Sequence, residues 1–473
     1  MMDSPPPPAD DNKLPVSLPG MGRGTPPADG NKIALPTSSA VSPPSIAITG
    51  LGGGLMGGRR GVPLSVPLPF LLTAACMAAL FGILLPWIVP EALQAPGFPH
   101  VLALVHTATL GWLTMAIMGA SLQLTPVIVV SPLRAARFIR GLYPMYAVGV
   151  LLLLAGFWWF LPWLLALGGS LVVLSVIHYA IILGVTLARA TTRPLTLRYL
   201  AASLVYLCIV VSLGLTAALD FQFGFLGNAF NRLLLTHITL GVVGWLTSVL
   251  IGVSYTLVRL FSLAHGHNDR LGRVLFPILN AGIVALSLGF IFSWLPLTLL
   301  GGVALVATAW LFAYDYARML MTRRRKLLDV TQYHGIAAVV YVCLVIPLGI
   351  IAAIFSQGQA ALLFTLGLLT LVGWLGQSIT GYLYKIVPFL VWHTHYGPLV
   401  GHQKVPLMRD LVHDRWSWLT WWLLNISLPL IALCALAGWL IPLQIACAIL
   451  GLGLLLAAIN VVGIVRHLYR PST

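Results

Sequence analysis

The chain has 473 residues, of which 59% are hydrophobic and 8% charged, against roughly a quarter charged in an ordinary soluble domain. That composition excludes a soluble globule. The mean hydropathy of +0.96 is spread over many separate apolar blocks, each long enough to cross a hydrocarbon core of about 30 Å. The formal charge of +15 lies in short loops between the blocks and forms no basic domain, which argues against nucleic acid as a partner and makes the lipid bilayer the expected surroundings.

Residues 1–60 contain Pro5 to Pro8 in one run, with Ser, Gly and Asp and almost no apolar periodicity. Such a segment buries too little surface to offset its ordering entropy and reads as a disordered cytoplasmic tail. No apolar stretch before residue 64 suits a cleaved signal peptide. Residues 61–473 then read as a transmembrane domain of twelve spans: 66–89, 101–130, 141–161, 163–188, 199–219, 233–262, 273–293, 295–320, 334–356, 359–392, 416–440 and 442–466. The cysteines (Cys76, Cys208, Cys343, Cys434, Cys447) all fall inside apolar blocks with no Cys-x-x-Cys pair, so they read as small buried hydrophobes.

The loops alternate in charge. Arg59/Arg60, Arg134/Arg137/Arg140, Arg189/Arg193/Arg198, Arg270/Arg273, Arg323 to Lys326, Lys404/Arg409/Arg415 and Arg466/Arg470 fall on one side; the other carries Glu91, Asp220 and Arg232. The positive-inside rule makes the basic side cytoplasmic, with both termini inside.

The second, sixth and tenth spans share one pattern: GWLTMAIMGASLQLTPV from 111, GWLTSVLIGVSYTLVRL from 244 and GWLGQSITGYLYKIVPF from 373. A second glycine follows eight residues after the first (Gly119, Gly252, Gly381), and Pro126 and Pro388 match in the first and third copies. The repeat predicts three pseudo-symmetric four-helix units, with small residues letting three inner helices pack closely.

Twelve spans, inner helices two, six and ten, and both termini inside resemble subunit I of the haem-copper oxidase superfamily. HTATLGWLTMAIMGASLQLTPV, HITLGVVGWLTSVLIGVSYTLV and YLYKIVPFLVWHTHYG look like a divergent branch of cytochrome oxidase subunit I-like proteins. The resemblance covers about residues 66–470 and implies an all-α integral membrane fold, a bacterial inner membrane, haem and copper as cofactors, and a cytochrome c or another respiratory subunit as partner.

Histidine is the expected ligand for either cofactor, and a polar group at membrane depth tends to be functional. His106, in the outer half of the second span, stands at about the depth where the family places a low-spin haem ligand. His237, in the outer half of the sixth, stands where the family has a copper-ligating His-Pro-Glu-Val-Tyr, but reads His-Ile-Thr-Leu-Gly here. Counted back from the repeat glycine at about 100° per residue, the two fall near 220° and 20°, so they either share one channel or point apart. A haem between His106 and His237 is one expectation; a copper ion on His237 is another.

The departures are as informative. The seventh span has no histidine where the family has a His-His copper pair, and the tenth places Leu366 and Leu368 where the other copies have His237 and His106. The family's binuclear centre needs more ligands than these. Two functions follow: a haem or copper protein with a reduced cofactor set, serving electron transfer or gas binding, and a cofactor-free transporter, assembly factor or structural partner.

The remaining polar residues read more plainly. His334 reads as an interfacial anchor, His178 as an ordinary satisfied polar residue, and His100 as capping the span or lining an entrance. His467 reads as meeting headgroups. His265, His267, His393, His395, His402 and His413 lie in loops without regular metal-ligand spacing. Asp315 reads as a surface ion pair with Arg318, and Lys385 as a snorkelling anchor.

Overall fold

A computed structural model describes residues 62–133, 139–264, 266–354 and 359–469. The expected tail, Arg59, Arg60, Arg134, Arg137, His265 and Arg470 lie outside them. The described chain is helical and contains no β-sheet. Its long helices are α1 (Pro67–Gln94), α2 (Pro99–Ile128), α3 (Leu142–Trp158), α4 (Pro162–Ala188), α5 (Leu195–Phe223), α6 (Gly227–Ser262), α7 (Arg270–Ile291), α8 (Leu295–Met321), α9 (Val330–Ile354), α10 (Ala360–Leu399), α11 (Asp414–Leu436) and α12 (Leu440–Tyr469). Ten are long and apolar enough to cross a membrane, while α3 and the Val330–Val345 part of α9 are shorter apolar helices. Apolar blocks take this form because a helix satisfies every backbone group within itself where water is absent. Proline in the first turn opens α1, α2, α4 and α8, where its missing N–H costs no hydrogen bond.

The three repeat segments share a backbone irregularity. Each Gly-Trp-Leu lies in a π-helical stretch: Thr107–Thr114 in α2, Thr239–Thr247 in α6 and Leu369–Gly376 in α10. A π turn takes in an extra residue, so side chains on either side of it are rotated from the positions that a uniform count of about 100° per residue assigns.

The repeat glycines seat these helices on the span before. A Cβ at Gly111 would come within 3.0 Å of Met77, one at Gly244 within 2.8 Å of Tyr206, and one at Gly373 within 2.8 Å of Tyr341. The second glycines close in the same way: Gly119 on Phe70, Gly252 on Tyr199 and Gly381 on His334. In α1, α5 and α9 the two seats are seven residues apart. His334 thus occupies a packing position held elsewhere by Phe70 and Tyr199, and it is fully buried. The interfacial placement expected for it is therefore incorrect; Nδ1 of its ring donates to Gln377 Oε1.

Three tryptophans connect the inner helices to one another. Trp245 donates from Nε1 to Thr114 Oγ1 at 3.0 Å, and Trp374 donates to Thr247 Oγ1 at 3.0 Å. The third copy has glycine in place of the threonine. A Cβ at Gly376 would lie 2.5 Å from Cη2 of Trp112, so that indole takes the space of the missing side chain. All three tryptophans are buried.

The offset of 133 residues between the first two copies extends beyond the motif. Val130 and Leu263 end α2 and α6 with φ of 50° and 55°; Phe160 and Ser293 turn the α3–α4 and α7–α8 hairpins with φ of 50° and 52°. Left-handed backbone is unusual for such residues, and it recurs at both matched pairs.

Candidate functional site

His106 ends the first helical part of α2, directly before its π stretch, and His237 lies two residues before that of α6. The inner helices are held side by side by the Trp245–Thr114 contact, and the structure brings the two imidazoles together. Their ring centroids are 6.5 Å apart and the rings are inclined by 31°. Both side chains are half-buried.

Each ring is oriented by its Nδ1. His106 donates to the Leu102 carbonyl at 2.7 Å, within its own helix, and His237 donates to the Val210 carbonyl of α5 at 3.0 Å. Those bonds assign the proton of a neutral imidazole to Nδ1 and leave a lone pair on Nε2, the arrangement in which metal-bound histidines are commonly held. Among the described residues, neither Nε2 takes part in a hydrogen bond. Phe157 of α3 stacks on His106 with centroids 4.9 Å apart. Gly214 of α5 makes room for His237: a Cβ there would be 3.0 Å from its Cε1.

The separation permits a test of fit. With a metal–nitrogen bond of about 2.0 Å, two imidazoles on opposite sides of one metal place their centroids about 6.3 Å apart. Tetrahedral neighbours would be about 5 Å apart on the same bond length. The observed 6.5 Å is closer to the first length than to the second. Leu102, Leu110 and Phe221 pack with Ala103, Phe157 and Ala218 in an apolar cluster beside the pair. His100, one to two turns earlier in α2, lies 3.0 Å from the Glu91 carboxylate and against Trp158.

At the opposite, basic end the polar groups are arranged differently. Asp315 of α8 is fully buried; the surface pair expected with Arg318 is incorrect, since Arg318 lies over the Tyr314 ring instead. Tyr255 of α6 donates to Asp315 Oδ2 at 2.9 Å, and His267 Nε2 stands 3.3 Å from Oδ1. Tyr199 stacks against Tyr255 and donates to the Gly272 carbonyl at 3.0 Å. Lys385 pairs with Asp329, which also meets Arg325 at 3.1 Å. Neither partner is visible in the sequence, because His267 and Asp329 lie in loops far along the chain from Asp315 and Lys385.

Among the described residues the loop histidines have separate neighbours. His413 stacks on Trp416, His467 meets the Tyr396 hydroxyl and His393 lies near Phe389. No group of three or more His, Cys, Asp or Glu side chains suited to a metal ion occurs among the described residues. No family model matches the chain, and a search of curated proteins finds no similar sequence.

Proposed function

We propose that the chain is a divergent member of the haem-copper oxidase superfamily, built as twelve spans in three four-helix units. In this reading it lies in a bacterial inner membrane, with both termini cytoplasmic, and holds one metal centre between His106 and His237. The three-unit reading is supported by the matched glycine seats, the three π stretches, and the tryptophan of each inner helix packed on another. The metal reading rests on the 6.5 Å centroid separation of two imidazoles tied through Nδ1. A haem is the favoured occupant and a copper ion the lesser one.

When bound, such a group supplies one-electron redox chemistry or a site for a diatomic gas. The chain's own residues set the conditions. The Leu102 and Val210 carbonyls fix both imidazoles as Nδ1–H tautomers, so Nε2 is the ligating nitrogen. Phe157 restricts rotation of the His106 ring, and the apolar side chains beside it limit access of water. Oxygen reduction at a binuclear centre is not part of this proposal, because Leu366 and Leu368 stand at the corresponding places of the tenth span.

Those two leucines favour the second reading, a cofactor-free transporter or respiratory assembly partner with the same architecture. The reduced-minus-oxidised optical spectrum and metal content of the purified protein, from cells supplied with haem and copper, separate the two. About one haem or copper per chain, lost in both His106→Ala and His237→Ala, supports the metal centre. A colourless, copper-free wild type overturns it.

A further inference from the structure

Away from the histidine pair, two cavities at the basic end of the bundle share one residue, Arg193. The first, about 520 Å³, is lined by Arg193, Arg198, Arg273, His267, Asn268 and Asp269. The second, about 640 Å³, is an open apolar groove between α4 and α5, floored by Gly184, Leu187, Ala201, Leu204 and Val205, with Arg193 at its end. We propose that together they form a binding site for one anionic phospholipid, its phosphate in the basic cavity and an acyl chain in the groove.

Charge complementarity argues for the headgroup. Arg193, Arg198 and Arg273 are exposed and make no ion pair among the described residues. The one carboxylate lining the cavity, Asp269, is engaged by Arg259 at 2.8 Å, and His267 is held by Asp315. The cavity thus carries three uncommitted guanidiniums, which match phosphate oxygens in a fork geometry that lysine lacks.

The groove argues for the tail. From Leu197 to Ile209 it follows α5 over a rise of about 18 Å, close to the roughly 15 Å of one leaflet's hydrocarbon. Its wall includes Gly184, where a Cβ would meet nothing within 4 Å. A free phosphate would use the arginines and leave the groove unused. A neutral lipid would use the groove and gain nothing from the arginines.

The test is native mass spectrometry of the detergent-purified full chain, titrated with phosphatidylglycerol, phosphatidylcholine or inorganic phosphate. Wild type is expected to retain phosphatidylglycerol well above phosphatidylcholine. Each arginine is expected to contribute about fivefold, so R193Q/R198Q/R273Q loses about a hundredfold, while Arg324→Gln, in a basic loop outside the cavity, changes little. Gly184→Leu fills the groove and is expected to weaken phosphatidylglycerol retention without affecting phosphate. Equal retention of both lipids by the wild type, or equal losses in the triple variant and Arg324→Gln, overturns the proposal. So does phosphate binding as tightly as phosphatidylglycerol with Gly184→Leu altering neither, since that outcome assigns the arginines to a free anion.

Discussion

The two ends of the bundle use histidine in opposite ways. At the basic end, His267 is paired with a buried carboxylate that also accepts from Tyr255. At the other, His106 and His237 each give one nitrogen to a backbone carbonyl and keep the second without a partner. The first arrangement is enclosed by two helices and a loop, with Tyr255 bonded to one carboxylate oxygen while His267 Nε2 faces the other at 3.3 Å without a hydrogen bond. The second ties each ring to a backbone carbonyl and sets it against another imidazole instead of a carboxylate.

The contrast breaks most directly at the carboxylate. Asp315→Ala leaves Tyr255 buried without its acceptor and His267 without the carboxylate beside it, and a loss of about 3–5 kcal/mol is expected from removing one partner of a buried pair; thermal unfolding in detergent measures it. A loss below about 1 kcal/mol would mean that the cluster is wet and the contrast is not one of burial. Overpacking comes next. Gly244→Ala places a methyl 2.8 Å from the Tyr206 ring, so about 1–3 kcal/mol of destabilisation is expected, whereas Gly184→Ala meets open space and is expected to be neutral by the same assay.

Smaller effects follow at the inner ring. Thr114→Ala and Thr247→Ala each remove one indole–hydroxyl bond, and about 0.6–1.7 kcal/mol apiece is expected from interhelical bonds in membranes. A double-mutant cycle of Thr114→Ala with Trp245→Phe tests whether the coupling is direct, since independent losses would add. The smallest stability change is expected at the metal candidates. His106→Ala gives up one intrahelical bond worth about 0.5–1.5 kcal/mol and yet abolishes the proposed cofactor. A large loss of stability in the cofactor-free protein would instead assign His106 to packing.

The residues that the sequence reading placed well are those whose role is set within one helix. Apolar length marked the ten long helices, and the Gly-Trp-Leu repeat pointed to the inner helices because close approach demands glycine. What escaped was set between helices. Angular counting left open whether His106 and His237 meet, since it assumes uniform α geometry and π stretches adjoin both positions. Asp315 looked paired with Arg318 because the two are one turn apart, while its true neighbours come from α6 and the loop after it. His334 looked interfacial because it opens a span beside Tyr333; its burial follows from Gly381, which admits its Cβ at close range, and is visible only once α9 and α10 are placed together.

The indole contacts also impose an order on synthesis. A chain enters the bilayer from its N-terminal side, so Trp245 can find Thr114 as soon as α6 has inserted. Trp374 reaches Thr247 only near the end, and the edge of Trp112 that faces Gly376 is closed only then, although Phe81 already lies beside its ring. The third inner helix made is therefore the one that seals the first. A ribosome halted before residue 369 would hold nine of the long helices with one indole edge bare and the Thr247 hydroxyl waiting for its donor.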